Sequence, residues 1–365
     1  MESPARRLID AMERGETCTL VDPSWPESWK RKLASVASAH MGKPPAVLVP
    51  TSGTTGLPKY CIHTLDTLRS AAKGYAGRFG RRGIIHAVNV LPHHHVGGLM
   101  PYFRCLECGG EVCDAAGYRR PESLLAAPFP LGQASISLVP TQLLRMLQDP
   151  QSVRVLRSFG LILVGGAACP TALLETARQH GLRLCPCYGS TETAAMISAL
   201  DPEDFLDGCT GVGTSLPHAR IQIGDEQRIR VFSASIALAC LPEQENFSRE
   251  PFLTGDLGTI DENGRLHILG RADRVINTGG EKVHPEQVEA AAMSTGRLLG
   301  ARCLGVPDPD WGQRVEIEVI PEAGVRFDAD LLLKELKERL PSYAIPKAVQ
   351  VLTAPPDFDF PKTKR

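Results

Sequence analysis

From residue 46 to residue 180, short apolar runs alternate with stretches of helical spacing, and this alternation limits the fold more than any other feature. AVLVP (46–50), IIHAVNVLP, SISLVP and LILVGG read as buried strands. HTLDTLRSAAKGYAGRFG, GGLMPYFRCLECGG, TQLLRMLQ and TALLETARQHG lie between or after them, several with helical spacing. The order predicts an α/β domain with largely parallel strands. Ahead of it, RRLIDAMERG carries apolar residues at helical spacing.

After about residue 205 the texture changes. RIQIG, RIRVFS and GTIDENGRLHILG read as short strands, with DENGR a hairpin turn. A second α/β pattern follows: HPEQVEAAAM is helical, GARCLGVPD and RVEIEVIPE are strand-like, and DADLLLKELKERL is an amphipathic helix. The boundary falls near GRADR, giving residues 1–270 and 271–365 as two domains.

The 365 residues are 43% hydrophobic and 22% charged, enough apolar material for a core without disulfides or metal. A formal net charge of −1 gives no broad attraction to nucleic acid or an acidic membrane. The 11 cysteines are scattered; Cys105 and Cys108 form a lone C-x-x-C, and Cys185 and Cys187 are separated by one residue. Zinc would need a second such pair, so reduced thiols in a cytoplasmic protein are expected. The N-terminus lacks an apolar signal core, and no apolar run reaches the length of a membrane span.

The first apolar run leads into TSGTTGLPK, Thr51 to Lys59. Glycines let backbone N–H groups approach phosphate, hydroxyls add hydrogen bonds, and lysine supplies a point charge. The spacing differs from a Walker A loop: two residues separate Gly53 from Gly56, and Tyr60 follows the lysine. The order T-S-G-T-T-G-x-P-K resembles the phosphate loop of the adenylate-forming superfamily, which includes acyl- and aryl-CoA ligases, peptide-synthetase adenylation domains and luciferases.

Further segments resemble that superfamily in order. The resemblance implies a large adenylation domain followed by a small mobile α/β domain. It implies that Thr51, Ser52, Gly53, Thr54, Thr55, Gly56 and Lys59 bind ATP phosphates. In YGSTETA, Tyr188 would stack on adenine, Gly189 would line the nucleotide and acyl pockets, Thr191 would contact phosphate, and Glu192 would hold Mg²⁺. Gly165, Gly166 and Ala167 resemble the strip beside adenine and the acyl group. Asp256 in TGDLG and Arg271 in GRADR would meet the ribose, with Asp273 at the hinge. Gly279 and Gly280 would line the pantetheine tunnel for coenzyme A.

The adenylation lysine has two candidates in DFPKTKR. Lys362 lies sixteen positions beyond Pro346 of the YAIP turn and keeps the K-x-x-R pattern with Arg365; Lys364 is the fallback. The resemblance therefore implies catalytic roles for Lys362, Lys59 and Glu192, with ATP, Mg²⁺ and CoA taking part.

PHHHVGGLMPYFR resembles the acyl-pocket segment. Adjacent histidines on a strand do not converge on one metal. His95 matches the pocket histidine. With Arg104 nine residues on, it resembles the o-succinylbenzoate–CoA ligase branch of menaquinone biosynthesis. Arg104 suits a second substrate carboxylate; a structural pair with Glu107 or another acid is the alternative. Other implied readings are a different acyl- or aryl-CoA ligase, a carrier-protein-loading enzyme, or a non-catalytic binding homologue. A carboxylic acid, ATP and CoA are the expected small-molecule partners, with a homodimer as the assembly and no nucleic acid or membrane. Only 50 residues precede Thr51, so the front of the large domain is expected to be short relative to the superfamily.

Overall fold

The computed structural model describes residues 4–38, 44–51, 59–115, 121–241, 245–247, 251–322 and 327–352. The described strands form four sheets. The central sheet has the order Val112–Asp114, His86–Asn89, Ala134–Leu138, Leu161–Val164, Leu184–Ser190, Ala195–Ala199 and Thr214–Ser215. Its first five strands are parallel, and its last two join antiparallel. LILV is buried at all four positions because the sheet is covered on both faces. Ile136, Leu138, Ile162 and Val164 share one core with Leu143, Leu156 and Phe159. Leu161, Leu163 and Cys185 pack in another with Tyr75 and Phe79.

Helix Leu65–Arg78 shows how local sequence aims an element at the sheet. Thr64 caps it, exchanging hydrogen bonds with Thr67. Leu68, Ala71, Ala72 and Tyr75 face inward. The helix ends at Phe79, and a following 3₁₀ turn closes on Gly83 at φ 82°. Helix Val96–Cys108 packs beside it and ends at Gly109, φ 71°.

AVLVP is a buried strand, as its apolar run predicts, but it lies outside the parallel sheet. Val47–Thr51 pairs antiparallel with Lys59–His63 in a second, mixed sheet that also contains Cys18–Thr19, Ala239–Leu241 and Glu245–Asn246. A buried apolar run looks the same in either setting, because periodicity does not encode the neighbour. The third sheet is antiparallel and runs Ala219–Ile223, Arg228–Ser233, Phe252–Ile260, Leu266–Arg271.

The 3₁₀ turn Ala272–Arg274 leads into the fourth sheet. Its long hairpin, Leu298–Asp308 with Gly312–Pro321, buries alternate residues Val315, Ile317 and Val319 beneath helices Pro285–Met293 and Ala329–Lys337. The outward Glu316 and Glu318 pair with Arg314 and Arg302. The described residues thus form a large α/β part followed by a small α/β part, as the alternation of the sequence predicts.

Candidate functional site

The parallel strands carry their motifs at the same end. Gly165 and Gly166 follow Val164, Tyr188 and Gly189 lie near the end of Leu184–Ser190, and His95 begins the helix after His86–Asn89. The carboxyl ends of parallel strands are the usual ligand edge of an open α/β sheet.

At one end of this edge, Tyr188 Oη donates to Asp256 Oδ2 at 2.7 Å. Arg271 lies 3.5 Å from Asp256 and 3.0 Å from Asp273. Strand register accounts for the meeting, because Asp256 and Arg271 are direct partners across the third sheet. Burial and the Asp256 charge push the Tyr188 phenol well above its ordinary range, so it stays protonated and can donate. The sequence singled out these four residues separately, and the fold links them into one chain.

Thr51 and Lys59 are also opposite one another, in the last register pair before their hairpin opens. Ser52, Gly53, Thr54, Thr55 and Gly56 lie outside the described residues, as do Lys362 and Lys364. Cys61, two residues beyond Lys59, feels the charges of both Lys59 and Glu192, so the loop's end and the acidic residue share a neighbourhood.

The turn Thr191–Thr193 that carries Glu192 is held at three successive carbonyls. His63 Nε2 donates to Thr191 O at 2.8 Å, Ala237 N to Glu192 O at 2.8 Å, and Ser235 Oγ to Thr193 O at 3.0 Å. Because a carbonyl only accepts, Nε2 of His63 carries the proton and Nδ1 faces Thr67 Oγ1 at 3.0 Å. Complete burial holds the His63 pKa down to about 4, against the raising effect of the Thr191 bond. Ala194 and Ala195 follow at φ 54° and 77°, a left-handed backbone that costs alanine energy and persists here because the surrounding bonds fix it. A Cβ at Gly189 would come 1.9 Å from Ala195 O, which explains the glycine. His63, Ser235 and Ala237 carry no motif, and their contribution depends on tertiary placement.

Arg104 belongs to a second buried group, two members of which carry no motif. Arg104, 5% exposed on helix Val96–Cys108, lies over the Tyr75 ring at 5.1 Å. Glu107 is exposed, and among the described residues no ion pair joins it or another acid to Arg104. Three positions apart, the two could meet on one helix face, but Arg104 is buried and Glu107 is exposed. Burial lowers the Arg104 pKa, with Tyr75 and Cys187 nearby in opposition. His218 packs against Gly74, and both its ring nitrogens are buried with no hydrogen-bond partner among the described residues. Burial, then the Arg104 charge, hold its pKa down to about 4. Tyr75 Oη is likewise buried without a hydrogen bond in good geometry. Gly165 adjoins this group through Cys187, whose Sγ would lie 2.9 Å from an added Cβ. Tyr75 and His218 were missed because they stand outside every motif.

Other residues separate from the cluster. His93 meets Asp114 and Tyr102, His94 meets Asp22, and His95 lies against the His94 ring, so the three histidines do not form a metal site. Gly166 and Ala167 lie exposed on the edge. Gly279 and Gly280 form the two-residue turn between Ile276–Thr278 and Glu281–Val283, with φ 57° and 88° as a tight hairpin turn requires. Gly279 sits under Trp311, which is 54% exposed.

The family of AMP-binding enzymes matches residues 3–233, and the C-terminal domain of AMP-binding enzymes matches residues 287–365. The 2-succinylbenzoate–CoA ligase of Escherichia coli K12 is 32% identical over 319 residues, covering 84% of this chain and 64% of that protein. Among solved structures, o-succinylbenzoate CoA synthetase from Bacillus subtilis with its acyl-adenylate intermediate gives a TM-score of 0.75 at 26% identity, covering 96% of this chain and 77% of that one. The same enzyme with ATP and magnesium ion gives 0.74 at 26% identity, covering 96% and 78%. The chain spans about two thirds of the length of the curated relatives it matches. No described helix is long and apolar enough to cross a membrane.

Proposed function

Because the chain belongs to the AMP-binding enzyme family, we propose that it is an ATP-dependent acid–thiol ligase that forms an acyl-AMP and then an acyl-CoA, with o-succinylbenzoate as the acid. The observation that carries the choice of acid is buried Arg104, which has no acidic partner among the described residues and lies beside Tyr75 and the buried His218 ring. A buried guanidinium needs a compensating anion, and a dicarboxylic acid offers one while its other carboxylate reacts.

In the first half-reaction the substrate carboxylate attacks the α-phosphorus of ATP and pyrophosphate leaves. Lys59, Thr51 and the loop residues Ser52 to Gly56 hold the phosphates, and Lys362 adds charge at the reacting oxygens. Tyr188 presents its ring to adenine while Asp256 fixes its hydroxyl; Asp256 and Arg271 meet the ribose. Gly165, Gly166, Ala167 and Gly189 leave room for the nucleotide and acyl group, with His95 at the pocket edge. Thr191 and Glu192 are presented by the pinned turn. The hard carboxylate of Glu192, close to the end of the phosphate loop, suits Mg²⁺, which shares phosphate ligands and would neutralise their charge when bound.

In the second half-reaction the CoA thiol attacks the acyl carbonyl and AMP leaves. We place the hinge at Asp273, between residues 1–270 and 271–365. Rotation there would withdraw Lys362 and bring Gly279 and Gly280 to the thiol path. A homodimer in the reducing cytoplasm completes the proposal. The test is acid-dependent pyrophosphate release over a panel containing o-succinylbenzoate, with and without CoA. AMP formation and accumulation of acyl-AMP without CoA are expected; ADP as product would overturn the mechanism.

A further inference from the structure

We propose that Cys61, Cys240 and Glu192 form a binding site for a thiophilic divalent cation, zinc or cadmium in class. Cys61 on Lys59–His63 and Cys240 on Ala239–Leu241 oppose one another across an antiparallel pair, with sulfurs 2.9 Å apart. The Glu192 carboxylate completes a trio whose ligand atoms all lie within 4.8 Å of one another, and among the described residues no other group of three does so. The cysteines are 0% and 5% exposed, whereas Glu192 is half-buried. The site is therefore closed behind the sulfurs and open beside the carboxylate, where water can take a fourth position.

Two buried cysteines are often only small apolar side chains. Here a carboxylate shares their neighbourhood, and both thiol-bearing segments grip its turn. His63, two residues from Cys61, bonds Thr191, and Ala237, three before Cys240, bonds Glu192. The donor set is consequently held together before any ion arrives. Thiolate sulfur selects zinc or cadmium over magnesium. With metal–sulfur bonds of about 2.3 Å in a tetrahedron, the sulfurs must part to roughly 3.8 Å, a small side-chain adjustment.

Binding stands on this geometry alone. Its consequence rests on the function proposed above: an ion holding Glu192 withdraws it from magnesium and slows adenylation. The test is cadmium titration of the reduced, desalted full chain, read by thiolate-to-cadmium charge-transfer absorbance, with zinc as competitor. One tight ion per chain with a two-thiolate band is expected. C61S/C240S should lose it, and C240S alone should halve it, which guards against misfolding of the double variant. E192Q should keep the band but bind at least roughly 10–100-fold more weakly, the cost of losing even an outer-shell partner. No band at one equivalent, or undiminished binding by folded C61S/C240S, overturns the site. Two-thiolate binding that leaves pyrophosphate release unchanged sustains the site and overturns the magnesium role of Glu192.

Discussion

Replacing Arg104 with methionine should separate substrate recognition from stability. The guanidinium is 5% exposed, has a ring contact with Tyr75, and has no acidic partner among the described residues. If a substrate carboxylate is its partner, the variant leaves that carboxylate buried and uncompensated, at a cost of about 3–5 kcal/mol. This corresponds to a fall in kcat/KM for o-succinylbenzoate of roughly 10²–10⁴-fold. An analogue lacking the second carboxylate should lose less than about tenfold, since its transition state never faced the missing charge. The ligand-free protein should unfold at the same temperature or higher, because methionine removes an unpaired buried cation without opening a large cavity. Pyrophosphate release with both acids, together with thermal unfolding of the free protein, reads all three quantities. Equal losses for the two acids would refute the reasoning, as would a large fall in melting temperature with the substrate ratio unchanged.

His63 and His218 both have pKa values lowered by burial to about 4. Each stays neutral in the fold while its unfolded counterpart gains a proton below about pH 6.5, so stability is present above that pH and is lost as pH falls toward 4. Between pH 6.5 and 5 the expected loss is on the order of 2 kcal/mol per histidine, and a flat urea midpoint over that interval would contradict it. Lys362→Ala should lower pyrophosphate release about 10²–10³-fold yet still convert supplied acyl-AMP to thioester, whereas Lys364→Ala should change little; the reverse pattern would move the catalytic role to Lys364. Gly280→Leu should impair thioester formation and spare pyrophosphate release. It also strains a φ of 88°, so a melting curve must accompany it, and equal loss of both steps in a folded variant would oppose the tunnel role.

Local chemistry was the legible part of this molecule. The DENGR turn and the alternation of RVEIEVI depend on backbone rules that operate over a few residues. The Tyr188, Asp256, Arg271 and Asp273 group could be picked out by resemblance, although only strand register shows that they join hand to hand. The antiparallel course of Val47–Thr51 was not legible, because a short apolar run fits several kinds of sheet. Nor was the meeting of Cys61 with Cys240 across 179 positions, or the clustering of Arg104 with Tyr75 and His218. Those depend on which elements become neighbours, and one sequence carries no direct record of that.

The turn bearing Glu192 has a consequence for transplantation. A designer who copied YGSTETA into another scaffold would carry over its side chains and leave behind the donors supplied by His63, Ser235 and Ala237. The two left-handed alanines would then relax, and Glu192 would point wherever the new loop allowed. The smallest portable unit is therefore not a contiguous segment. It includes the strand carrying His63 and the stretch from Ser235 to Ala237, three pieces of chain that must be grafted in register or not at all.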